Sequence, residues 1–517
     1  MNAEDLYWFT FTLVTIVGYF TFKLITRHKH FFTARGVPFV KPHFIYGNLN
    51  DVLSGKVSTL ELVQQFYQKF ENERIFGFYN YLSPVFYVRD PDLIEKLWVQ
   101  EGNHFANHGY FLDERKDAIL GNQLHLLKDE KWHRMRCSLG PVFSSKQVAP
   151  MTRLIQTNSA DLIDHLKGRV DSELEFKGVF VQHAFNVIAS CAFGLELNTF
   201  KDESDQFCQI GGALVYGNNP VQTLKTMLFY LFPKLMSKMN VQLMEASHAK
   251  YFMNLLRATI EERDQYNVNR PDMIHLLNRA NKRELELNAE DRAYFQIKDS
   301  SRWKMTNQEF VAQCVTFFGP SFENLVNLIS FASYELAANP DVQLKLFAEI
   351  QNTSKETPLS YDSINGMIYL DMVISETLRK WPAAPSCDRE CSKDYRLNQQ
   401  DGLSIQFRKG DSLWVSVWAL HRDERYFPDP ERFDPERFSE AKRGEIRPNT
   451  YLPFGVGQRN CIGRRLALLV AKLTLVDLVR NFQLSLGSKL VQPFRLAKAS
   501  FSLEPEGGFW LQIAPRL

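Results

Sequence analysis

Cysteine is scarce: seven in 517 residues, an odd number. A disulfide scaffold for so long a chain would need many more, and at least one of these seven lacks an intramolecular partner. Such sparse use fits a reducing, cytosol-facing setting better than a secreted one. Charge of a single sign is also missing. Sixty-one Lys and Arg residues stand against 59 Asp and Glu, a formal net of +2. No global field therefore attracts nucleic acid, and none is expected as a partner. No internal repeat, Ser/Gly linker or low-complexity tract divides residues 31–517, which excludes solenoids and strings of tethered modules. With 45% hydrophobic residues there is ample material for one large buried core.

Charge is absent from one further stretch. Residues 6–22 carry none; Lys23 follows, then Arg27, His28 and Lys29. A bilayer core takes roughly 20 mostly apolar residues, a length reached here if Lys23 extends its amine to the interface. Glu4 and Asp5 precede the apolar run and the basic residues follow it, so the positive-inside rule leaves the remainder in the cytosol. A cleaved signal peptide would carry positive charge first and small residues last, which is the reverse order. Residues 1–30 are expected to be an uncleaved membrane anchor with its basic flank, and residues 31–517 a single catalytic domain.

From about residue 128 to residue 380 the apolar side chains recur at helical spacing. Residues 310–339 predict a long apolar helix interrupted at Gly319-Pro320, and residues 464–479 another. Strand-like runs are few: residues 85–88 before an Asp-Pro-Asp turn, residues 413–418, and a late hairpin at Gly507-Gly508. The expected fold is mainly α with small β-sheets. Residues 224–244 are apolar enough either to dip into a membrane surface or to pack in the core.

The chemistry concentrates at residues 454–463, Phe-Gly-Val-Gly-Gln-Arg-Asn-Cys-Ile-Gly, directly before the helix at Arg464. Glycines at 455, 457 and 463 permit unusual backbone angles and close approach to a flat ligand. Cys461 stands at a helix start, where backbone N–H groups and the helix dipole stabilise a thiolate. A lone cysteine in a Gly-rich loop is more often structural than a ligand; the array around this one reverses that. Cys387 and Cys391 lack a second ligand pair at zinc spacing.

This segment resembles the haem-binding signature of the cytochromes P-450, with Phe454, Gly457, Arg459, Cys461 and Gly463 at matching positions. The resemblance runs through nearly the whole chain and is greatest to microsomal, insect detoxification-type members. It implies the P-450 fold, a single large haem domain behind an N-terminal membrane anchor, with haem b held by Cys461 as the axial ligand of its iron. Glu376-Thr-Leu-Arg379 is similar to the family's Glu-x-x-Arg motif, and Arg437 to the residue that joins it in a buried structural network. Trp132 and Arg136, with Arg389 and Arg459, resemble the family's propionate-binding residues. The resemblance also implies an apolar substrate, such as a xenobiotic, insecticide, hormone or lipid. Electrons would come from NADPH through NADPH–cytochrome P-450 reductase, with cytochrome b5 as a further partner. The setting is the endoplasmic reticulum membrane, the catalytic domain facing the cytosol.

The chain departs from the family at one place. Where the central helix has a small residue, Gly, any residue, an acid and Thr, this sequence has Pro320, Ser321, Phe322, Glu323 and Asn324. An amide accepts and donates hydrogen bonds but does not shuttle a proton as a hydroxyl–water chain does. Glu323 and Asn324 are the expected catalytic pair on the oxygen side. The alternatives are a haem-thiolate isomerase or dehydratase of lipid hydroperoxides, and a non-catalytic haem-binding sensor or carrier. The substrate pocket is expected to include residues 105–120, the helix near Phe318 and Phe322, residues 383–385, and Phe501.

Overall fold

Segments with apolar side chains at three- and four-residue spacing become helices, and the most apolar of them lie innermost. The computed structural model describes residues 30–516 except 44–45, 110–111, 171, 203, 217–219, 298–302, 320 and 499–502, and also residues 7, 8, 12 and 15. Most of the anchor expected at residues 1–30 lies outside the described residues, as do Pro320 and Phe501. Among the described residues no helix is long and apolar enough to cross a membrane.

In chain order, the helices that build the site are α1 (Asp129–Leu139), α2 (Phe176–Ile188), α3 (Asn307–Val315), α4 (Phe322–Ala338), α5 (Ile368–Lys380) and α6 (Arg464–Asn481). The strands are β1 (Ile75–Asn80), β2 (Ser83–Val88), β3 (Glu173–Glu175), β4 (Ser386–Glu390), β5 (Tyr395–Asn398), β6 (Ser404–Phe407), β7 (Ser412–Ser416), β8 (Phe482–Leu486) and β9 (Trp510–Pro515). They form three small sheets, ordered β1-β2-β7-β4, β3-β9-β8 and β5-β6. In the first, β2 runs parallel to β7 with Phe86 opposite Leu413, and the other two pairings are antiparallel. The strands expected at residues 85–88 and 413–418 are β2 and β7. Gly507 and Gly508, at φ 81° and 94°, turn the chain into β9.

Helix α4 is the axis. Every residue from Leu325 to Ala337 is buried, as a helix apolar on all sides must be. It packs against α2, α5, α6 and β8. The interruption expected in this helix is present: α3 ends at Val315, and α4 begins at Phe322. At the break the Thr316 hydroxyl turns back to donate to the Ala312 carbonyl at 2.8 Å. Phe318 fills a cluster of rings with Phe185, Phe193, Phe207 and Phe252.

Helix α5 carries a fully buried ion pair. Arg379 Nε donates to Glu376 Oε2 at 2.7 Å and Nη2 to Oε1 at 2.9 Å. The three-residue spacing puts both groups on one face. The remaining valences tie down the following segment. Asp434 N donates to Glu376 at 2.9 Å, Arg437 Nε lies 3.4 Å from it, and Arg379 donates to the carbonyls of His421 and Pro430 at 2.9 and 2.7 Å. His421 accepts from Leu452 N at 2.8 Å through Nε2, so its Nδ1 carries the proton that reaches the Arg379 carbonyl at 3.0 Å. Burial pushes this imidazole down to about 3, which keeps it neutral and able to do both. Arg379→Ala should therefore destabilise the protein by about 3–5 kcal/mol, since Glu376 is left charged and buried. Denaturant unfolding should show a smaller loss for the double variant Glu376→Leu/Arg379→Leu.

Candidate active site

The loop from Leu452 to Arg464 is shaped by close approach. Gly457 has φ +77°, and a Cβ there would sit 2.1 Å from the Trp98 carbonyl oxygen. Glycine is the residue that fits both demands. The neighbouring Gln458 donates to the Gly102 carbonyl at 2.5 Å, and Cys461 N donates to the Phe454 carbonyl at 2.9 Å, closing the loop on itself. The Cys461 sulfur is thereby presented at the foot of α6. Burial pushes its thiol up, against the pull of the Gly463 and Arg464 N–H groups and of the Arg136 and Arg464 cations. The residue is open to solvent-sized space only because it faces a chamber inside the fold.

That chamber has a volume of about 450 Å³. Its walls come from α1, the α3–α4 break, the start of α4, the segment leading into β4, and the Cys461 loop. Leu139, Phe143, Leu325, Leu328 and Leu466 supply much of the apolar surface. Trp132, Arg136, Arg389, Phe454, Arg459, Asn324 and Cys461, all singled out in the sequence, meet on it.

Three buried arginines flank the chamber without an ion pair among the described residues. Arg136 donates to the carbonyl and side-chain oxygens of Asn460. Arg389 donates to the carbonyls of Asp388 and Val456 at 2.7 and 2.9 Å. Arg459 donates to those of Ala106 and Leu127 at 2.6 and 2.8 Å and lies 3.8 Å over the Trp132 ring. Arg136 Nε and Arg459 Nη1 are buried with no acceptor. Burial pushes Arg136 down to about 10 and lowers Arg459 well below its ordinary value. Buried cations in carbonyl cages with spare donors call for anions. A flat apolar body bearing two carboxylates, with a metal for the thiolate, satisfies each of these groups, so the residues present fit haem.

Of the two residues expected on the oxygen side, Asn324 lies on the chamber wall and Glu323 does not; one residue earlier is about 100° round a helix. Phe318 and Phe322 are fully buried and not on the wall. The interrupted helix turns Thr316, Phe317 and Ser321 inward in their place. Ala383 and Ala384 line the chamber as expected, with Ser386 beyond them in place of Pro385, whereas among the described residues of 105–120 only His108 does. Phe105 packs instead against Tyr395 and Phe407.

His108 falls in the expected 105–120 segment, but other polar wall residues escaped the sequence reading, among them His125, Gln313 and Asp388. His108 Nδ1 pairs with Asp388 Oδ1 at 2.8 Å, and Gly109 N donates to the other carboxylate oxygen at 2.6 Å. Lone residues 280 positions apart in sequence carry no periodic signal, so only the fold could join them.

A cytochrome P450 family model matches residues 37–511. Cytochrome P450 9b2 of Drosophila melanogaster is 36% identical over 514 residues, covering 97% of this chain and 98% of its own length. Cytochrome P450 9e2 of Blattella germanica is 34% identical, covering 100% and 99%. Probable cytochrome P450 6a14 of Drosophila melanogaster is 32% identical, covering 98% and 99%.

Loss of a charge-assisted hydrogen bond is worth about 1.5–3 kcal/mol. Arg459→Met should accordingly raise the rate of haem transfer to excess apomyoglobin by about ten-fold or more.

Proposed function

The chain belongs to the cytochrome P450 family and is a monooxygenase of that family, and on that premise we propose that it oxidises small apolar substrates in the chamber over Cys461. The candidates are xenobiotics, insecticides, hormones or lipids. The family implies haem; when bound, it supplies the splitting of molecular oxygen, one atom entering the substrate and the other leaving as water. The observation that carries the reading is the Cys461 sulfur at a helix start, facing an apolar chamber flanked by three cations without ion pairs.

Each residue then has a task. Cys461 would hold the haem iron through its sulfur, which binding to a metal would deprotonate although burial favours the thiol. Arg136, Arg389 and Arg459 take the propionates, with Trp132 stacked beneath Arg459, and Phe454 packs the thiolate side. Glu376, Arg379 and Arg437 hold the scaffold behind the loop. Asn324 is the polar group of α4 on the chamber wall; its amide can hold a water, and proton delivery falls to that water. Glu323 can act only from outside the wall.

Electrons are assigned to NADPH through NADPH–cytochrome P-450 reductase, with cytochrome b5 as a second donor, both docking on the Cys461 side. The location is the endoplasmic reticulum membrane, with residues 1–30 as the anchor and the catalytic domain in the cytosol. A second contact with lipid is supported by the chain near residues 221–239. Val221, Leu224, Phe232, Leu235 and Met239 are exposed there, while Phe229 and Met236 pack inward with Leu112. In this reading the packed face of residues 224–244 anchors the segment and the exposed face is the one that meets lipid.

One observation favours a second reading. Asn324 on the wall, in place of a hydroxyl, suits an isomerase or dehydratase that takes a lipid hydroperoxide without a reductase. Isotope-labelled oxygen separates the two: the full chain with reductase and NADPH should place label in the product, and label-free turnover of a hydroperoxide would sink the monooxygenase reading. Reduced protein under carbon monoxide should show the red-shifted Soret band of thiolate ligation, abolished in Cys461→Ala. Asn324→Thr should raise the product formed per NADPH consumed, because it adds a hydroxyl able to pass a proton.

A further inference from the structure

Two imidazoles line the chamber, and they differ in one respect. His108 is committed to Asp388. The His125 ring makes no hydrogen bond to the described residues, and its Nδ1 is buried without a partner. Buried polar groups are normally satisfied, so an unsatisfied one requires a reason.

Slack in the surrounding chain is not that reason. Gln313 of α3 clamps the chain just before the histidine, accepting from Leu124 N at 3.2 Å and donating to the Asn122 carbonyl at 2.7 Å. Lys131 donates to the Asn122 side chain at 2.7 Å, and beyond the histidine Arg459 holds the Leu127 carbonyl at 2.8 Å. The backbone is pinned before and after residue 125 while the ring it carries is left unbonded. Burial, with His108 and Arg459 adding their charges, pushes the imidazole down to about 4. At neutral pH it therefore offers one donor and one acceptor and no charge. Leu124, Val187, Ile188 and Leu277 make other parts of the wall apolar.

We infer that His125 is a specificity-determining residue: it meets a hydroxyl or carbonyl group on an otherwise apolar substrate, so that the chamber favours oxygenated apolar molecules over the parent hydrocarbons. A site built to hydrogen-bond a substrate oxygen penalises the analogue that lacks it, because the protein group is then left unpaired. This rests on the chamber over Cys461 being the substrate site.

The test compares menthol with p-menthane, which share a skeleton and differ by one hydroxyl, on the full-length haem-loaded protein. Calorimetry gives both dissociation constants without relying on a haem signal, and carbon monoxide spectra of the same samples report on Cys461 ligation separately. In His125→Phe the preference for menthol over p-menthane should fall about ten-fold relative to the parent protein, and His125→Gln, which keeps a donor and an acceptor, should retain most of it. Should His125→Phe not fold, His125→Leu decides in its place. A preference unchanged within about two-fold, the scatter of independent effects, overturns the inference. So does weaker haem retention with an unchanged preference, which would give the imidazole to the cofactor.

Discussion

Removing the Glu376–Arg379 pair would cost more than one salt bridge. Two charges taken fully out of water are tolerable only if every remaining valence is filled, and here the filling is done by the backbone of residues 421–434. The same contacts lead through His421 to Leu452, two residues before the Phe454 turn. A stiff relay of neutral and charged hydrogen bonds thus connects the interior of α5 to the loop that presents Cys461. Gly457, pressed on the Trp98 carbonyl, fixes the other side of that loop. The sulfur is positioned by long-range polar closure from one direction and steric contact from the other, and α6 serves mainly as the floor.

The chamber shows the opposite economy. Around Cys461 the protein leaves cations without anions and a thiol held above its ordinary range by burial. Such an arrangement destabilises the chain on its own and is compensated only by a ligand that brings carboxylates and a metal. Folding and cofactor capture are then linked: whatever binds the folded state alone stabilises it by mass action. Satisfied scaffold behind, unsatisfied site in front: the contrast marks where the chemistry belongs.

Much of this was legible in the sequence, for physical reasons that differ by element. Helices α4 and α6 announced themselves through long, largely apolar segments. The break before α4 was signalled by Gly319 and Pro320, and the loop by glycines that no other residue could replace. Glu376 and Arg379 sit three apart on one helix, so their pairing needed no tertiary knowledge. What failed was orientation. Phe318 and Phe322 mark the right stretch of chain but turn into the ring cluster with Phe185 and Phe207, while their neighbours Phe317, Ser321 and Asn324 line the chamber. Glu323 and Asn324 stand at the family's acid and Thr positions, but consecutive residues on a helix point about 100° apart, and of the two Asn324 is the one on the wall. His108 and Asp388, and the Gln313 clamp on Asn122 and Leu124, lie hundreds of positions apart and were invisible until the chain was folded.

The Gln313 clamp has a consequence for how such a molecule changes over generations. The turn that bears His125 is held through main-chain groups, by side chains rooted elsewhere, so the ring it displays to the chamber makes none of the hydrogen bonds that hold it. Inheritance can exchange that side chain while leaving those bonds in place. Diversity of appetite is thereby separated from integrity of frame, and a lineage exposed to new chemicals can explore one while leaving the other untouched.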